Sequence, residues 1–427
     1  MSVASEKRPA AAMDESPSSQ TLAVVQQTKR AKESTDTQLA KVAPKVRRTS
    51  RLSDPVVTLV DAHPKGASIN AVRVSPCGEV LASGGDDGSI QLWKFFPPME
   101  NHAALKGHSH AIRDLAFAAS GTRNNPGALY SASADQSVAV WDTATAQRVR
   151  RWRHRTGVIN TIAAAPAGTS FASAGDDGQL KIFDVREKRA THSVSHGHPL
   201  TSLAWAPSFS YGADISAGVT GADEHLIFVG GVDNLIRAYD MRTIVSSQAA
   251  DTPANALFIL RGHRDTVTGL RRSPCGRRLA SNAADSTVRV WDSRSFVTGA
   301  AAAAAAAPEE GAVPLDPRLR ATLNGAPHAA TLPHLLPRVA WSPTGSHLAA
   351  GSPAERSVCV WDVSSVPLGA GGGGSAQLVY KLPGHQGAVT DVDWARGGAS
   401  ESDGPSAEGV GILASSGLDG VVFVGEV

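Results

Sequence analysis

The sequence predicts an all-β protein in which one sheet-forming unit recurs seven times and closes into a ring behind a basic N-terminal tail. Three observations predict it. A three-strand pattern between polar signposts recurs along most of the 427 residues. A short apolar strand, Val56 to Val60, stands alone before the first copy, and the last copy ends without an outer strand of its own.

The clearest copy runs from Gly262 to Asp292. Thr266 to Arg271 alternates apolar and polar residues, Ser273-Pro274-Cys275-Gly276 turns the chain, and Arg278 to Ala283 runs back. A tight turn at Asp285-Ser286 leads into Thr287 to Trp291, where Val288 and Val290 share a face because strand side chains alternate with period two. His263 follows a glycine before the first strand, and Trp291-Asp292 ends the third. With these Gly-His and Trp-Asp pairs the stretch resembles a blade of the WD-repeat β-propeller family. The resemblance implies a buried tetrad of His263, Ser281, Asp285 and Trp291. Its chemistry is self-consistent: the Asp285 carboxylate accepts from the imidazole, the other ring nitrogen pairs with the Ser281 hydroxyl, and the indole N–H needs an acceptor. Each buried polar group left unpaired costs about 1–3 kcal/mol, so the set is structural and cooperative.

Residues 1–55 form the first region. They hold ten Lys/Arg and six Asp/Glu, leaving 31 and 33 for the remainder, so the tail is basic and the body nearly neutral. Rich in Ser, Thr, Ala and Gln without periodicity, the tail is expected to be disordered. Lys29, Arg30 and Lys32, then Lys45, Arg47 and Arg48, are spaced as a two-part nuclear import signal; a solvated charged tail is the plainer alternative. Glu6, Lys7 and Arg8 precede any apolar stretch, unlike a secretory signal. The longest apolar run, Ala300 to Ala307, falls far below the roughly 18 residues of a membrane span. Cys77, Cys275 and Cys359 show no metal-ligand spacing, as expected of a reduced intracellular protein.

The propeller is expected over residues 56–427. Blade one offers His63, Ser83, Asp87 and Trp93, with Ala62 in place of the usual glycine. Blade two offers His108, Ser131, Asp135 and Trp141. Blade three has His154, Ser173, Asp177 and Phe183, and the lost indole donor predicts a weaker tetrad. Blade four begins at Gly197-His198 and continues to Asp233 and Tyr239, with Val229 where serine belongs. Blade five is the stretch above. Blade six begins at His328 and closes at Trp361-Asp362, with Glu355 at the aspartate position. Blade seven has His385, Ser415 and Asp419 and ends at Gly425-Glu426-Val427 without a tryptophan. Nothing follows it, so Val56 to Val60 is expected to supply its outer strand and close the ring, leaving only short edges. Insertions near 208–221, 293–316, 364–375 and 397–408 fall between repeat elements and are expected as surface loops.

Within the family, LKGHSHAIRDLAF, SASADQSVAVWD, SAGDDGQLKIFDVREK, LRGHRDTVTGL and the terminal VGEV are similar to the WD-repeat proteins of the U5 small nuclear ribonucleoprotein (U5 snRNP). That resemblance implies a non-catalytic scaffold of the spliceosome, acting in pre-mRNA splicing in the nucleus. It implies docking on the large U5 protein and other spliceosome proteins as a monomer within a larger complex. RNA contact is expected to be indirect or through the basic tail, since phosphate binding needs a concentrated basic surface. No cofactor and no membrane partner are expected.

Asp86-Asp87 and Asp176-Asp177 sit at the same pre-glycine turn, where Asp is favoured by local bonding, and are not acid/base pairs. The His/Ser/Asp sets resemble a hydrolase triad only in residue type, and copies in several blades argue for a structural part. A second binding reading is a substrate receptor of a cullin-type ubiquitin ligase. Phe183-Asp184-Val185-Arg186, Tyr239-Asp240-Met241-Arg242 and Trp291-Asp292-Ser293-Arg294 resemble the aromatic-Asp-x-Arg adaptor motif. The plainer alternative is that Arg186, Arg242 and Arg294 each pair with the neighbouring carboxylate.

Overall fold

Among the described residues, short runs of β-branched and small residues, punctuated by Gly, Asp and Ser turns, form 28 strands in seven four-stranded antiparallel sheets. The computed structural model of the chain describes residues 56–95, 99–118, 127–154, 156–166, 168–205, 225–246, 256–295, 316–329, 331–332, 334–367, 376–395 and 411–427. The two basic clusters of the tail and the 208–221 and 397–408 insertions lie outside these residues, as do most of 293–316 and 368–375 of the third insertion.

The chain opens with β1 (Val56–Leu59). Blade one is β2 (Ile69–Val74), β3 (Val80–Gly85), β4 (Ser89–Lys94) and β5 (Asn101–Lys106), and blade two is β6 (Ile112–Phe117), β7 (Ala128–Ser133), β8 (Ser137–Asp142) and β9 (Gln147–Arg153). Blade three is β10 (Ile159–Ala164), β11 (Ser170–Gly175), β12 (Gln179–Asp184) and β13 (Ala190–Ser195). Blade four is β14 (Leu200–Ala204), β15 (Leu226–Gly231), β16 (Ile236–Asp240) and β17 (Phe258–Leu260), with one short helix, Met241–Ser246, before its last strand. Blade five is β18 (Val267–Arg272), β19 (Arg278–Ala283), β20 (Thr287–Asp292) and β21 (Leu319–Asn324). Blade six is β22 (Val339–Trp341), β23 (His347–Ser352), β24 (Ser357–Asp362) and β25 (Gln377–Pro383). Blade seven is β26 (Val389–Ala395), β27 (Ile412–Gly417) and β28 (Val422–Glu426), completed by β1. Val56 lies opposite Gly425 and Leu59 opposite Val422, so the N-terminal strand closes the ring.

Each interface between neighbouring blades has its own apolar cluster, from the blade seven–one contact of Leu59, Ile69, Ile412 and Val424 to the blade five–six contact of Val290, Trp341 and Trp361. Because a blade is covered on both faces, its inner and middle strands lose the expected alternation. β19 and β20 are buried at every position but their first, Arg289 included. Outer strands keep exposed positions, as in β9 and β25. Close approach explains two glycines. A Cβ on Gly84 would stand 2.6 Å from Ile112 Cγ2, and one on Gly351 2.6 Å from Val389 Cγ1, each on the next blade's inner strand.

Polar side chains reinforce the same joints. The residue after the first apolar position of an inner strand reaches into the next blade: Asn70 Nδ2 donates to Ile112 O at 3.0 Å, Asn160 Nδ2 to Leu200 O at 3.0 Å, and Thr390 Oγ1 to Ile69 O at 2.7 Å. Thr201 makes the same contact to Val267 O, and Thr268 to Pro337 O at 3.1 Å.

Candidate functional site

Three blades carry the full tetrad geometry. In blade five, His263 Nδ1 lies 3.0 Å from Asp285 and Nε2 2.6 Å from the Ser281 hydroxyl, to which Trp291 Nε1 donates at 2.8 Å. In blade two the corresponding distances are 2.9 Å for His108 to Asp135, 2.8 Å for His108 to Ser131, and 2.8 Å for Trp141 to Ser131. In blade one, His63 reaches Asp87 at 3.2 Å and Ser83 at 3.0 Å, and Trp93 reaches Ser83 at 3.2 Å.

Burial holds His263 below the usual imidazole range despite Asp285, so the ring is neutral: Nδ1–H donates to the carboxylate and Nε2 accepts from Ser281. Burial alone would raise Asp285. The His263 bond, the Arg264 amide and Thr287 hold it well below the carboxylate range instead. Arg264 N donates to one carboxylate oxygen at 3.0 Å, while Thr287 N and Oγ1 donate to the other at 3.0 and 2.7 Å. The aspartate thus ties the loop before the inner strand to the turn before the third. Ser89 and Ser137 repeat the part of Thr287 on Asp87 and Asp135. This fifth member was missed from the sequence, although a Ser or Thr two residues after each aspartate is a readable signal.

The other blades depart for identifiable reasons. In blade three, His154 Nε2 is 3.0 Å from Ser173 and its ring lies 5.4 Å from Phe183, while Asp177 is held by Lys181 at 2.9 Å and Thr156 at 2.8 Å. In blade four the expected His198 is exposed, and His196 occupies the tetrad position. His196 precedes its inner strand by four residues, as His263 does, and accepts the Tyr239 hydroxyl at 2.9 Å. With Val229 in the serine slot and Asp233 paired to Arg237 at 2.6 Å, His196 Nδ1 is buried without a hydrogen-bond partner among the described residues. Blade six builds no such set. His328 meets the Leu335 carbonyl at 3.2 Å, Glu355 pairs with Lys381, Ala350 replaces the serine, and Trp361 donates to Asn324 O at 3.1 Å. In blade seven, His385 bonds Asp419 at 3.0 Å and Ser415 at 2.9 Å. The missing indole is replaced from two residues earlier, where Phe423 packs its ring 4.7 Å from the His385 ring.

The inner strands also carry a charged network that the sequence reading did not foresee. Buried Arg73 of β2 pairs with Asp391 of β26 and, at 3.1 Å, with Asp114 of β6. Asp114 accepts the Ile162 amide and the Thr161 hydroxyl of β10 at 3.0 and 2.9 Å. Arg338, beside β22, spans from blade six to the Asn160 carbonyl at 2.7 Å and to Asp114 at 3.5 Å. Arg271 of β18 pairs with Asp393 of β26 at 2.8 Å. Burial works against the charge on Arg73, but Asp391, Asp114 and Asp393 outweigh it and raise its affinity for the proton.

Of the three arginines in the adaptor-like motif, Arg242 and Arg294 fold back on the aspartate two residues earlier, Asp240 and Asp292, each with a 2.6 Å contact. The exposed Arg186 donates only its backbone amide to Asp184, at 2.8 Å. Among the described residues no group of three or more His, Cys, Asp or Glu is placed to hold a metal ion, and no helix is long and apolar enough to cross a membrane. The His/Ser/Asp sets act as joints within their blades.

Comparison with known proteins adds to this geometry. The family model described as "WD domain, G-beta repeat" matches residues 53–94, 99–142, 147–184, 254–292, 334–362 and 376–424. The stretch between the third and fourth matches holds Val229 and the altered blade-four set. The U5 small nuclear ribonucleoprotein 40 kDa protein of Homo sapiens is 33% identical over 382 residues, 89% of this chain and 86% of the relative. Its Dictyostelium discoideum counterpart is 30% identical over 381 residues, 89% and 86% of the two chains. The pre-mRNA-splicing factor cwf17 of Schizosaccharomyces pombe is 27% identical over 350 residues, 82% and 84%. Among solved structures, the Swd1 β-propeller domain of Myceliophteria thermophila superposes with a TM-score of 0.60 at 20% identity, over 87% of this chain and 99% of that one, a likeness of fold.

Proposed function

This chain belongs to the WD-repeat family, and from that premise we propose that it is a non-catalytic scaffold of the U5 snRNP that serves pre-mRNA splicing in the nucleus by docking on the large U5 protein. The observation that carries this reading is similarity to U5 40 kDa proteins over 89% of the chain, on a ring whose His, Ser and Asp sets are engaged within its own blades. Residues 1–55 act as a separate basic tail, with Lys29, Arg30, Lys32, Lys45, Arg47 and Arg48 as its import signal and any direct RNA contact confined to it. The body contributes rigid protein-binding faces, and the chain works as a monomer within the larger particle. The ubiquitin-ligase reading is disfavoured because Arg242 and Arg294 are engaged by their own aspartates.

Purification of the tagged full chain from nuclear extract tests the proposal. U5 RNA and the large U5 protein are the expected partners. A cullin adaptor as the main partner, without U5 RNA, would overturn it.

A further inference from the structure

The outermost strand of blade two differs from those of the other six blades. β9 reads Gln147-Arg148-Val149-Arg150-Arg151-Trp152-Arg153, four arginines in seven residues. Each other outer strand has at most one lysine or arginine. The neighbouring blade extends the charge. Arg150 donates to the Val185 and Glu187 carbonyls at 2.8 and 3.1 Å, and the Trp152 indole to Glu187 O at 3.1 Å, which holds the turn after β12 against the strand. That turn presents Arg186, Lys188 and Arg189 to solvent, with Glu187 as its one acid.

Of the four β9 arginines, only Arg151 meets a carboxylate among the described residues, Asp135 at 2.8 Å. Arg148 donates to the Gly107 carbonyl at 3.2 Å, and Arg153 is exposed beside a recess that also includes Ser109 and Gln136. The strand itself is an edge. Among the described residues it pairs with β8 on one side only, so the backbone groups of alternate residues face away from the sheet, and Val149 is 59% exposed between the arginines. Cations that merely guard an edge need be no denser than the single lysine of β5 or β25, and they do not explain a second row on the adjoining turn.

We propose that this edge takes up an acidic, extended segment of a partner protein as a fifth strand of blade two, its backbone pairing with β9 and its carboxylates meeting the cations on either face, those of β9 on one and those of the adjoining turn on the other. Strand addition draws affinity from main-chain hydrogen bonds and specificity from side chains of period two, and steering by opposite charge speeds the encounter. A protein segment fits better than RNA on two counts. Unpaired strand amides and an exposed valine have no counterpart in a nucleotide chain. Trp152, the patch's aromatic residue, is buried and offers no platform for stacking bases.

The test uses the purified full chain and three fluorescent probes of about ten units each: a peptide repeating Glu-Glu-Thr-Thr, which puts carboxylates on both faces of a strand, the same peptide N-methylated at alternate residues, and single-stranded RNA. The first peptide is expected to bind. Its affinity should fall about tenfold or more on N-methylation, and equally in the variant Arg153→Glu/Lys188→Glu/Arg189→Glu, whose thermal unfolding should match that of the parent. Equal binding of the N-methylated peptide, tighter binding of the RNA, no peptide binding, or binding unchanged in the variant would each overturn the proposal. The inference goes beyond the scaffold role, and because no ribonucleoprotein is present in the assay, its failure leaves that role untouched.

Discussion

At the scale of single residues, His263 joins its loop to the second strand of the blade and to the turn after it, since its ring holds Ser281 on one side and Asp285 on the other. His263→Ala is expected to lower unfolding free energy by about 1–3 kcal/mol in denaturant melts, because both partners lose a buried bond. His196→Ala should cost clearly less, as only the Tyr239 hydroxyl loses a partner and a buried, unsatisfied Nδ1 is removed. Equal losses would refute the account. Protonation gives a second handle. Burial, with Lys181 nearby, pushes His154 down to about 4, so below the unfolded value near 6.5 the unfolded chain binds a proton that the folded chain refuses. Stability from this residue is therefore complete above about pH 6.5 and is lost as pH falls towards 4, about 3 kcal/mol in all. A His154→Gln variant should show a flatter stability profile across that window. Asp285 and the other depressed tetrad carboxylates add their losses only at lower pH. Most tetrad members were legible in the sequence because their spacing recurs. His198 was mistaken for His196 because the Gly-His pair is a weaker constraint than the four-residue distance to the inner strand.

At the scale of elements, β1 depends on a strand more than 360 residues away in sequence, and only the ring brings the two together. Its residues do not contribute equally. Leu59 is buried in the blade seven–one cluster, whereas Val56 is 56% exposed. Leu59→Ala should therefore cost about 2–3 kcal/mol, while Val56→Ala should stay within about 0.5 kcal/mol. Similar small effects for both would mean that β1 is not a structural part of blade seven in solution. Strand order was readable because each blade repeats it. Less legible was the double-sided burial of β19 and β20, since alternation in sequence presumes that one face meets water.

At the scale of the whole molecule, seven similar sheets must be kept in one ring, and the buried charges of the inner strands link blades that are not neighbours. Arg338 reaches from blade six to blades two and three, and Arg271 from blade five to blade seven. Arg73→Ala is expected to cost about 3–5 kcal/mol, because Asp391 and Asp114 would be left as buried carboxylates with a partner removed. Lys94→Ala, which breaks an exposed 3.8 Å pair with Glu100, should change stability by less than about 1 kcal/mol. Comparable effects at the two positions, measured by chemical denaturation, would count against the network as a fastening of the ring.

By itself the amino-acid order determined the repeat, the number of blades, the borrowed outer strand and most of the His, Ser, Asp and Trp positions, because these follow from local spacing and from a surplus strand at one end matched by a deficit at the other. Only the tertiary structure decided which histidine serves blade four, that Phe423 stands in for the missing indole, that Arg73 ties blade one to both its neighbours while Arg338 reaches across the ring, and that the arginines of β9 adjoin the Arg186–Arg189 turn. The physical reason is common to all four: each depends on side chains that closure of the ring or packing of neighbouring strands brings within a few ångströms, and no spacing along the chain encodes those distances.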